Sequence, residues 1–200
     1  MSVSIFVGQS LNLKQKFASS SSSSRNIRIQ REHTMGCRGV LFAIDHATAE
    51  ALIAIDSDSG RIDYIQEVIE EDYFNNHNEW LAETDLSWDW MHRALTDGQL
   101  GWSNGSYPLN HVILGGESLH AGSDYIITLK TAQQVADVAT ALALVTEESF
   151  AVGFRQIDDS ELNDGFEEDF GYTWDYFNEV REFWLQAAKQ GRFIIFTVDQ

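Results

Sequence analysis

His92 is the residue whose type and neighbours best suit it to acid–base chemistry. It lies in the segment Asp85–Leu95, whose periodicity predicts a helix. One face of that helix carries Trp88, Met91, His92 and Leu95. Because histidine titrates near neutral pH, His92 could act as a general base beside a carboxylate such as Asp89 or Glu117. The competing interpretation is a structural histidine that is hydrogen-bonded within the core.

Motifs for a metal, a nucleotide or a serine nucleophile are absent from the sequence or incomplete. The run Asp56–Gly60 resembles half of a calcium loop, but its glycine is one place early for an EF-hand. His77 and Glu79 lack a second histidine at helical spacing, which favours a loop over a metal site. The pair Gly115-Gly116 lacks the lysine of a phosphate loop, and no G-x-S-x-G elbow occurs. We therefore predict no metal and no cofactor.

Charge is unevenly distributed along the chain. The formal net charge is −18, and residues 35–200 carry 8 basic and 30 acidic side chains, a net charge of −22. Such a surface repels phosphate backbones, so nucleic-acid binding is disfavoured, whereas cations or a basic protein partner are favoured. Solubility alone explains the same composition without a partner.

Cysteine content and hydropathy indicate the cellular setting. The single cysteine, Cys37, rules out an internal disulfide framework and fits a reducing compartment. No apolar run approaches the roughly 20 residues that span a bilayer. We therefore predict a cytoplasmic protein that does not enter a membrane.

Residues 1–34 differ from the rest of the chain. They contain the Ser19–Ser24 run, five basic side chains and one acidic side chain, which predicts a disordered tail. Three interpretations stay open: a transit-like presequence, a tail that docks on an acidic surface, or an artefact upstream of a true start at Met35. We favour the last, because the first predicted strand follows Met35 closely. The predicted domain is therefore 35–200.

The remaining sequence alternates between short apolar runs and helical periodicity. Strands are predicted at Gly39–Ile44 and Tyr125–Leu129, and helices at His46–Ile55, around Ile62–Tyr73, at Asp85–Leu95, from Thr131 to about Val145, and after Thr146. The predicted N-caps are Asp45, Thr131, and either Ser87 or Asp85. Gly98 is available for a left-handed helix end. The segments Gln99–Asn110 and Asp158–Gly171 predict loops.

The C-terminal stretch Thr173–Gln200 indicates the architecture most directly. With Thr173 as the predicted N-cap, one helix carries the apolar stripe Trp174, Phe177, Val180, Phe183, Trp184 and Ala188. Gly191 fits a left-handed C-cap, and Phe193–Val198 is apolar on both faces, as a central strand would be. We predict an α+β fold. It is a single compact domain with amphipathic helices packed on a small mixed β-sheet, and its C-terminal helix is followed by a buried strand.

Several segments occur in an order that is typical of one family. They are Met35-Gly36 before a strand, Trp88 followed by Met91-His92-Arg93-Ala94-Leu95-Thr96-Asp97-Gly98, then Val112-Ile113-Leu114-Gly115-Gly116, Asp124-Tyr125, and the aromatic helix with Gly191 and a strand. Together they resemble the YfbM-like family, small bacterial proteins classed as a domain of unknown function. The family pattern is similar to Trp-x-x-Leu-His-x-x-Leu-Thr-Gly. Here Met91 replaces the leucine, and Asp97 intervenes before the glycine.

The resemblance covers about residues 35–200 and implies a compact α+β domain. It implies no activity, because none is firmly attached to the family. If the family shares a pocket, the resemblance suggests these lining residues: Trp88, His92, Thr96, Gly98, Gly115 and Glu117.

Because no catalytic motif is complete, we predict a non-enzymatic acidic binding domain. One specific form is an immunity-type protein that covers a basic partner through charge complementarity. The alternative is a small hydrolase or ligand-binding enzyme with His92 as its general base. An enzyme requires a concave, partly apolar pocket with converging polar groups, and this requirement distinguishes the two hypotheses.

Overall fold

The computed structural model describes residues 37–122 and 125–199, so the predicted tail and the predicted start at Met35 lie outside the described residues. The chain forms β1 (Gly39–Ile44), α1 (His46–Ile53), α2 (Asp58–Tyr64), α3 (Glu71–Asn76), β2 (Leu81–Asp85), α4 (Ser87–Ala94), β3 (Glu117–Ser118), β4 (Tyr125–Lys130), α5 (Ala132–Leu142), α6 (Glu147–Phe154), α7 (Phe166–Lys189) and β5 (Phe193–Asp199). A π-helical segment, Ile65–Glu70, joins α2 to α3.

The strands form one five-stranded sheet in the order β2-β1-β5-β4-β3. Ile195 at its centre lies opposite Phe42 of β1 and opposite Leu129 of β4. The predicted α+β fold and the central position of the last strand are confirmed. The pairings between the described strands are all antiparallel, so the sheet is not mixed as predicted. Apolar patterning shows that a strand is buried, but it does not show the direction of its neighbours.

Helices cover both faces of the sheet. Side chains alternate between the faces along each strand, and both faces carry apolar residues. One face packs against α4, α5, α6 and α7, and its strand residues include Leu41, Ala43, Ile126, Ile194 and Phe196. The other face packs against the helical segment 46–76, and its strand residues include Phe42, Ile44, Ile127, Leu129 and Ile195. The strands β1, β4 and β5 therefore lie between two apolar cores.

Several predicted helix ends agree with the structure. The Asp45 carboxylate accepts a hydrogen bond from the backbone N–H of Thr48 at 2.8 Å, and Thr131 forms a capping box with Gln134. Such caps satisfy N–H groups that have no partner within the helix. Gly98 and Gly191 both adopt positive φ, as their predicted positions after helices require.

The predicted start of the C-terminal helix at Thr173 is wrong. Helix α7 begins at Phe166, so the predicted loop Asp158–Gly171 ends earlier than expected. Thr173 is buried within the helix, and its hydroxyl donates to the carbonyl of Asp169 at 2.7 Å. Phe166 and Phe170 extend the apolar stripe upstream, but acidic residues around them disguised its periodicity.

The predicted caps of α4 are also wrong. Its N-cap is Leu86, which makes no side-chain hydrogen bond to the helix. Asp85 instead ends β2 with a φ of 48°, and its carboxylate accepts from the hydroxyl of Tyr172 at 2.8 Å. The Ser87 hydroxyl donates to the carbonyl of Thr84 at 2.6 Å. These two hydrogen bonds connect the edge strand β2 to α7 and to α4. The sequence analysis did not predict β2.

Candidate functional site

A cleft of about 810 Å³ lies between α4, the loop that follows it, residues 111–122 and β4. Its polar lining comes from His111, Ser118 and His120, and its aromatic lining comes from Trp88 and Trp102. Glycine backbone and the side chains of Leu100, Leu114, Ala121 and Ile126 complete the wall. None of the described lining residues is Asp or Glu, in a chain whose net charge is −18.

The two tryptophans of the cleft are held in different ways. Trp88 is buried on α4, and its indole N–H donates to the carbonyl of Cys37 at 2.9 Å. Trp102 belongs to the loop after α4 and is 50% exposed. Trp88 is thus a fixed part of the wall, whereas Trp102 offers a large ring surface to water or to a ligand.

Glycine shapes the wall opposite the tryptophans. Gly116 has a φ of 114°, and an added Cβ would collide with the carbonyl oxygen of Leu129. Only glycine combines this conformation with such a close approach of two backbone segments. The approach brings β3 alongside β4. Gly116 and Ser118 line the cleft, whereas Glu117 between them does not.

His111 is the half-buried histidine of the cleft. Its Nδ1 lies 2.8 Å from the Asn110 side-chain oxygen, so Nδ1–H is the donor and Nε2 carries the lone pair. The ring of Tyr107 packs edge-on against it, with 4.9 Å between the ring centroids. Burial lowers the pKa of His111, which favours the neutral ring.

His120 is held at the cleft by Asp58 of α2. Nδ1 of His120 lies 3.4 Å from one carboxylate oxygen of Asp58, and the same oxygen accepts from the backbone N–H of Ala121 at 3.1 Å. Arg61 donates to the carbonyl of Leu119 at 3.2 Å. The segment that resembled half of a calcium loop therefore positions a wall of the cleft through Asp58.

His92 lies behind the cleft wall and not within the cleft. The side chain is 1% exposed, and Nε2–H donates to the carbonyl of Gly101, a lining residue, at 3.0 Å. Nδ1 has no hydrogen-bond partner among the residues that the structure describes. Burial lowers the pKa of His92, so its neutral form is favoured. His92 thus supports the loop that carries Trp102.

Lys130 is a second buried base beside the cleft. Its Nζ lies 2.5 Å from both the carbonyl oxygen of Ile113 and the hydroxyl oxygen of Thr128. Burial lowers the pKa of Lys130 well below its ordinary value. Its N–H groups donate to these two oxygens. Lys130 therefore connects β4 to the segment that leads into Gly115 and Gly116.

The structure brings together only part of the predicted pocket. Trp88 and Gly115 line the cleft, and His92 supports it from behind. The Thr96 hydroxyl donates to the carbonyl of His92 at 2.7 Å, and the N–H of Gly98 donates to the carbonyl of Arg93 at 3.0 Å. Thr96 and Gly98 therefore terminate α4 and do not line the cleft.

The carboxylates proposed as partners of His92 have other surroundings. Asp89 accepts a short hydrogen bond of 2.5 Å from Nε of Arg93, and Arg93 also contacts Glu161. Glu117 is exposed on β3. The polar residues that do line the cleft are instead ones that sequence analysis missed. Trp102 could have been suspected, because a tryptophan is unusual inside a Gly- and Ser-rich loop such as Gln99–Asn110. His111 and His120 belong to no sequence motif that would have indicated them.

Two searches within the described residues concern other classes of protein. Between residues 37 and 122 and between 125 and 199, no group of three or more His, Cys, Asp or Glu side chains is arranged to hold a metal ion. No helix in the described part of the chain has the length and the apolar character needed to cross a membrane.

Comparison with solved structures finds the same fold in another protein. The crystal structure of YfbM from Escherichia coli, a protein of unknown function, superposes with a TM-score of 0.55 at 17% sequence identity. The match covers 80% of this chain and 99% of that chain. At this identity the similarity shows a shared fold and not a shared activity.

Sequence comparison supplies the family. No curated protein matches the sequence. The family profile described as "Domain of unknown function (DUF1877)" matches residues 35–197, which is most of the chain. The chain therefore belongs to the DUF1877 family of domains of unknown function.

Proposed function

We propose that this domain is a non-enzymatic binding protein whose cleft holds a small, planar molecule that is neutral or anionic. The observation that carries the proposal is a cleft lined by two tryptophans and two histidines, with no carboxylate among its described lining residues, in a strongly acidic chain. Its volume of about 810 Å³ lies within the roughly 300–1,000 Å³ of ligand pockets. Partly apolar walls with a few polar groups are typical of such sites.

The aromatic lining supports a planar ligand. Half of the Trp102 surface is exposed, and a stacked ring would remove much of that apolar area from water. Trp88 and Ile126 provide further apolar contact within the same cleft. No described lining residue is a carboxylate, so a cation would have no ion-pair partner among them.

The polar lining supports recognition of one or two hydrogen-bonding groups. The Nδ1–H of His111 donates to Asn110, which leaves Nε2 as an acceptor for a ligand N–H or O–H. On the other wall, Nδ1 of His120 lies 3.4 Å from a carboxylate oxygen of Asp58. These groups fix the orientation of a ligand, whereas the tryptophans provide most of its contact area.

The test is a thermal-shift screen of the full chain with neutral and anionic heteroaromatic fragments, followed by calorimetric titration of each compound that stabilises the protein. Trp102→Ala should weaken binding about tenfold, because base–aromatic stacking contributes roughly 1–3 kcal/mol. Phe74→Ala removes another exposed aromatic, 46% exposed and outside the cleft, and should leave the affinity unchanged. The proposal is abandoned if no fragment binds, or if both substitutions weaken binding equally.

A second candidate, the hydrolase alternative, is favoured by one observation within the cleft. The 3.4 Å approach of Asp58 to Nδ1 of His120 resembles the way a carboxylate orients a catalytic histidine. This geometry moves the proposed general base from His92 to His120. Hydrolysis of p-nitrophenyl esters or of bis-p-nitrophenyl phosphate that is lost in His120→Gln would support it. Hydrolysis that survives the substitution, or none in the wild type, would reject it.

Four broader proposals come from composition. We infer an acidic surface that binds a basic protein, with an immunity-type protein as its specific form. A native-lysate pull-down at low salt that recovers no basic protein would count against this inference.

We also propose a domain spanning 35–200 and a cytoplasmic location without nucleic-acid binding. Limited proteolysis, cell fractionation and a DNA gel-shift assay test these in turn.

A further inference from the structure

A second concave surface lies between α6 and the start of α7. Its lining residues come later in the sequence than those of the cleft. This groove has a volume of about 560 Å³. Phe166, Phe170 and Ala151 contribute its apolar surface, and Glu147, Glu148 and Glu167 contribute its acidic side chains. Thr146 and one basic residue, Arg155, complete the lining. The groove thus combines an aromatic floor with an acidic rim.

The floor is one end of a row of stacked rings along α7. Phe166 and Phe170 stack with 5.6 Å between ring centroids and 3° between ring planes. Phe170 and Trp174 stack with 6.4 Å and 7°. The three residues are spaced four apart, so they lie above one another on the helix surface. All three are only half-buried, which leaves ring surface accessible.

Two arginines of the chain already lie over this row. The Arg155 guanidinium is 5.2 Å from the ring centroid of Phe166, and that of Arg181 is 5.9 Å from Trp174. Both distances are within the roughly 6 Å of cation–π attraction. Among the described residues no cation lies over Phe170, the middle ring. The two outer rings of the row, Phe166 and Trp174, therefore each have a guanidinium beside them, whereas Phe170 does not. Phe170 also contacts Phe150 and Phe154, so only part of its ring faces the groove.

The rim carries more negative than positive charge, because three glutamates line the groove together with one arginine, Arg155. Glu147, Glu148 and Glu167 are exposed, and none of them forms an ion pair with another described residue. Their places in the first turns of α6 and α7 account for the charge, because anions stabilise helix N-termini. The rings of Phe166 and Phe170 beside them pack partly against the core, and both also line the groove. The combination is complementary to an arginine side chain, which has both a stacking surface and a positive charge.

We propose that this groove binds an arginine-containing basic segment of a partner protein. One guanidinium packs against the part of the Phe170 ring that lines the groove, and the rim glutamates form ion pairs with neighbouring basic residues. This assigns a location to the basic-partner proposal and is independent of the cleft. Arginine is preferred over lysine because its planar guanidinium stacks on an aromatic face and also forms bidentate hydrogen bonds to carboxylates.

The test is the binding of a fluorescein-labelled peptide, Gly-Arg-Gly-Arg-Gly-Arg, to the full chain by anisotropy at 50 and 300 mM NaCl. A peptide with lysine in place of arginine is the matched probe. The arginine peptide should bind at least about threefold more tightly, a difference within the range of cation–π energies. Both affinities should fall with salt, because the rim is exposed.

Substitutions separate the ring from the charge. Phe170→Leu retains apolar volume, removes the π face, and should abolish the preference for arginine. The double substitution Glu147→Gln and Glu148→Gln should weaken binding about tenfold and reduce its salt dependence. Glu71→Gln, an exposed glutamate on α3, is the control and should change neither. Trp102→Ala should also change neither, so failure of the cleft proposal leaves this test intact.

Three results would overturn the proposal. The first is equal binding of the arginine and lysine peptides. The second is unchanged binding in Phe170→Leu and in the double glutamine variant. The third is a concentration-dependent dimer in sedimentation velocity that these substitutions dissociate, because a second copy of the chain would then occupy the groove.

Discussion

The cleft and the groove are both partly aromatic, but they differ in where their ionisable groups lie. The groups behind the cleft, Lys130 and His92, are buried bases whose pKa values burial lowers. The groups at the groove, Glu147, Glu148 and Glu167, are exposed to water. Burial disfavours the charged form of a basic residue, whereas exposure to water preserves charge. Cleft stability should therefore depend on pH, and groove binding should depend on salt.

The contact between α4 and α6 connects the two regions and should give the largest effect when it is broken. Gly153 of α6 packs on the carbonyl of Ala94 at the end of α4, and an added Cβ would collide with that oxygen. Gly153→Ala should lower the free energy of unfolding by about 3 kcal/mol, the upper end of typical overpacking costs. Urea denaturation measures this loss.

The matched control for this substitution is its neighbour in α6. Val152 is 57% exposed, so Val152→Ala should change stability by no more than about 0.5 kcal/mol. If Gly153→Ala is as stable as the wild type, then α4 and α6 do not pack as described, and the two regions do not share one core.

Replacement of the buried lysine should change how stability depends on pH. The unfolded chain holds a proton on Lys130 up to its ordinary pKa of 10.5, and the folded chain releases it at much lower pH. The unfolded state thus binds more protons in this window, and stability rises with pH. Lys130→Met should remove a slope of up to about 1.4 kcal/mol per pH unit in the alkaline range below pH 10.5, where the unfolded chain is protonated and the folded chain is not.

The measured quantity is the slope of the free energy of unfolding against pH, compared between the wild type and Lys130→Met. Stability at a single pH is not a suitable measure, because the substitution also removes the hydrogen bonds of Lys130 to Ile113 and Thr128. Lys189 lies in the last turn of α7 and is exposed, so Lys189→Met is the control. Equal slopes in the wild type and in Lys130→Met would show that the amine is protonated in the folded protein.

The buried histidine should produce a smaller effect on the acidic side. Its folded pKa is lowered from 6.5, so its stability contribution is complete above that pH and is lost as the pH falls below it. His92→Gln should therefore flatten the decrease in stability as the pH falls below 6.5. His111→Asn should flatten it less, because His111 is only half-buried. Reversal of that order would contradict the account of the cleft.

The smallest effect is expected for a helix cap that contacts neither region. Asp45→Ala should lower stability by about 1 kcal/mol through loss of the hydrogen bond to Thr48. Binding of fragments and of the arginine peptide should be unchanged at temperatures where the variant is folded. Altered binding in Asp45→Ala would mean that general destabilisation, and not local contacts, controls both sites.

The sequence predicted elements whose signals are local. The Asp45 and Thr131 caps, the strand Gly39–Ile44 and the buried strand after Gly191 each depend on a few adjacent residues. The start of α7 was missed because Glu167, Glu168 and Asp169 interrupt the apolar pattern of Phe166 and Phe170. Strand β2 was missed because an edge strand with Glu83 and Asp85 lacks a continuous apolar run.

The cleft was less predictable, because chain topology brings together residues that no sequence spacing connects. Asp58 and His120 are 62 positions apart, and their contact depends on the packing of α2 beside the loop after β3. Lys130 would be expected at the surface from its type, and only its place at the end of a central strand explains its burial. Trp88 and Gly115 were predicted as pocket residues, and both line the cleft.

One measurement tests the separation of the two regions most directly. The six tryptophans include Trp88 and Trp102 at the cleft and Trp174 beside the groove, so a ¹H–¹⁵N spectrum of the indole groups monitors both regions at once. The best fragment from the thermal screen should shift the signals of Trp88 and Trp102 but not that of Trp174. The arginine peptide should do the opposite. If either probe shifts both sets of signals, the cleft and the groove are not the independent sites described above.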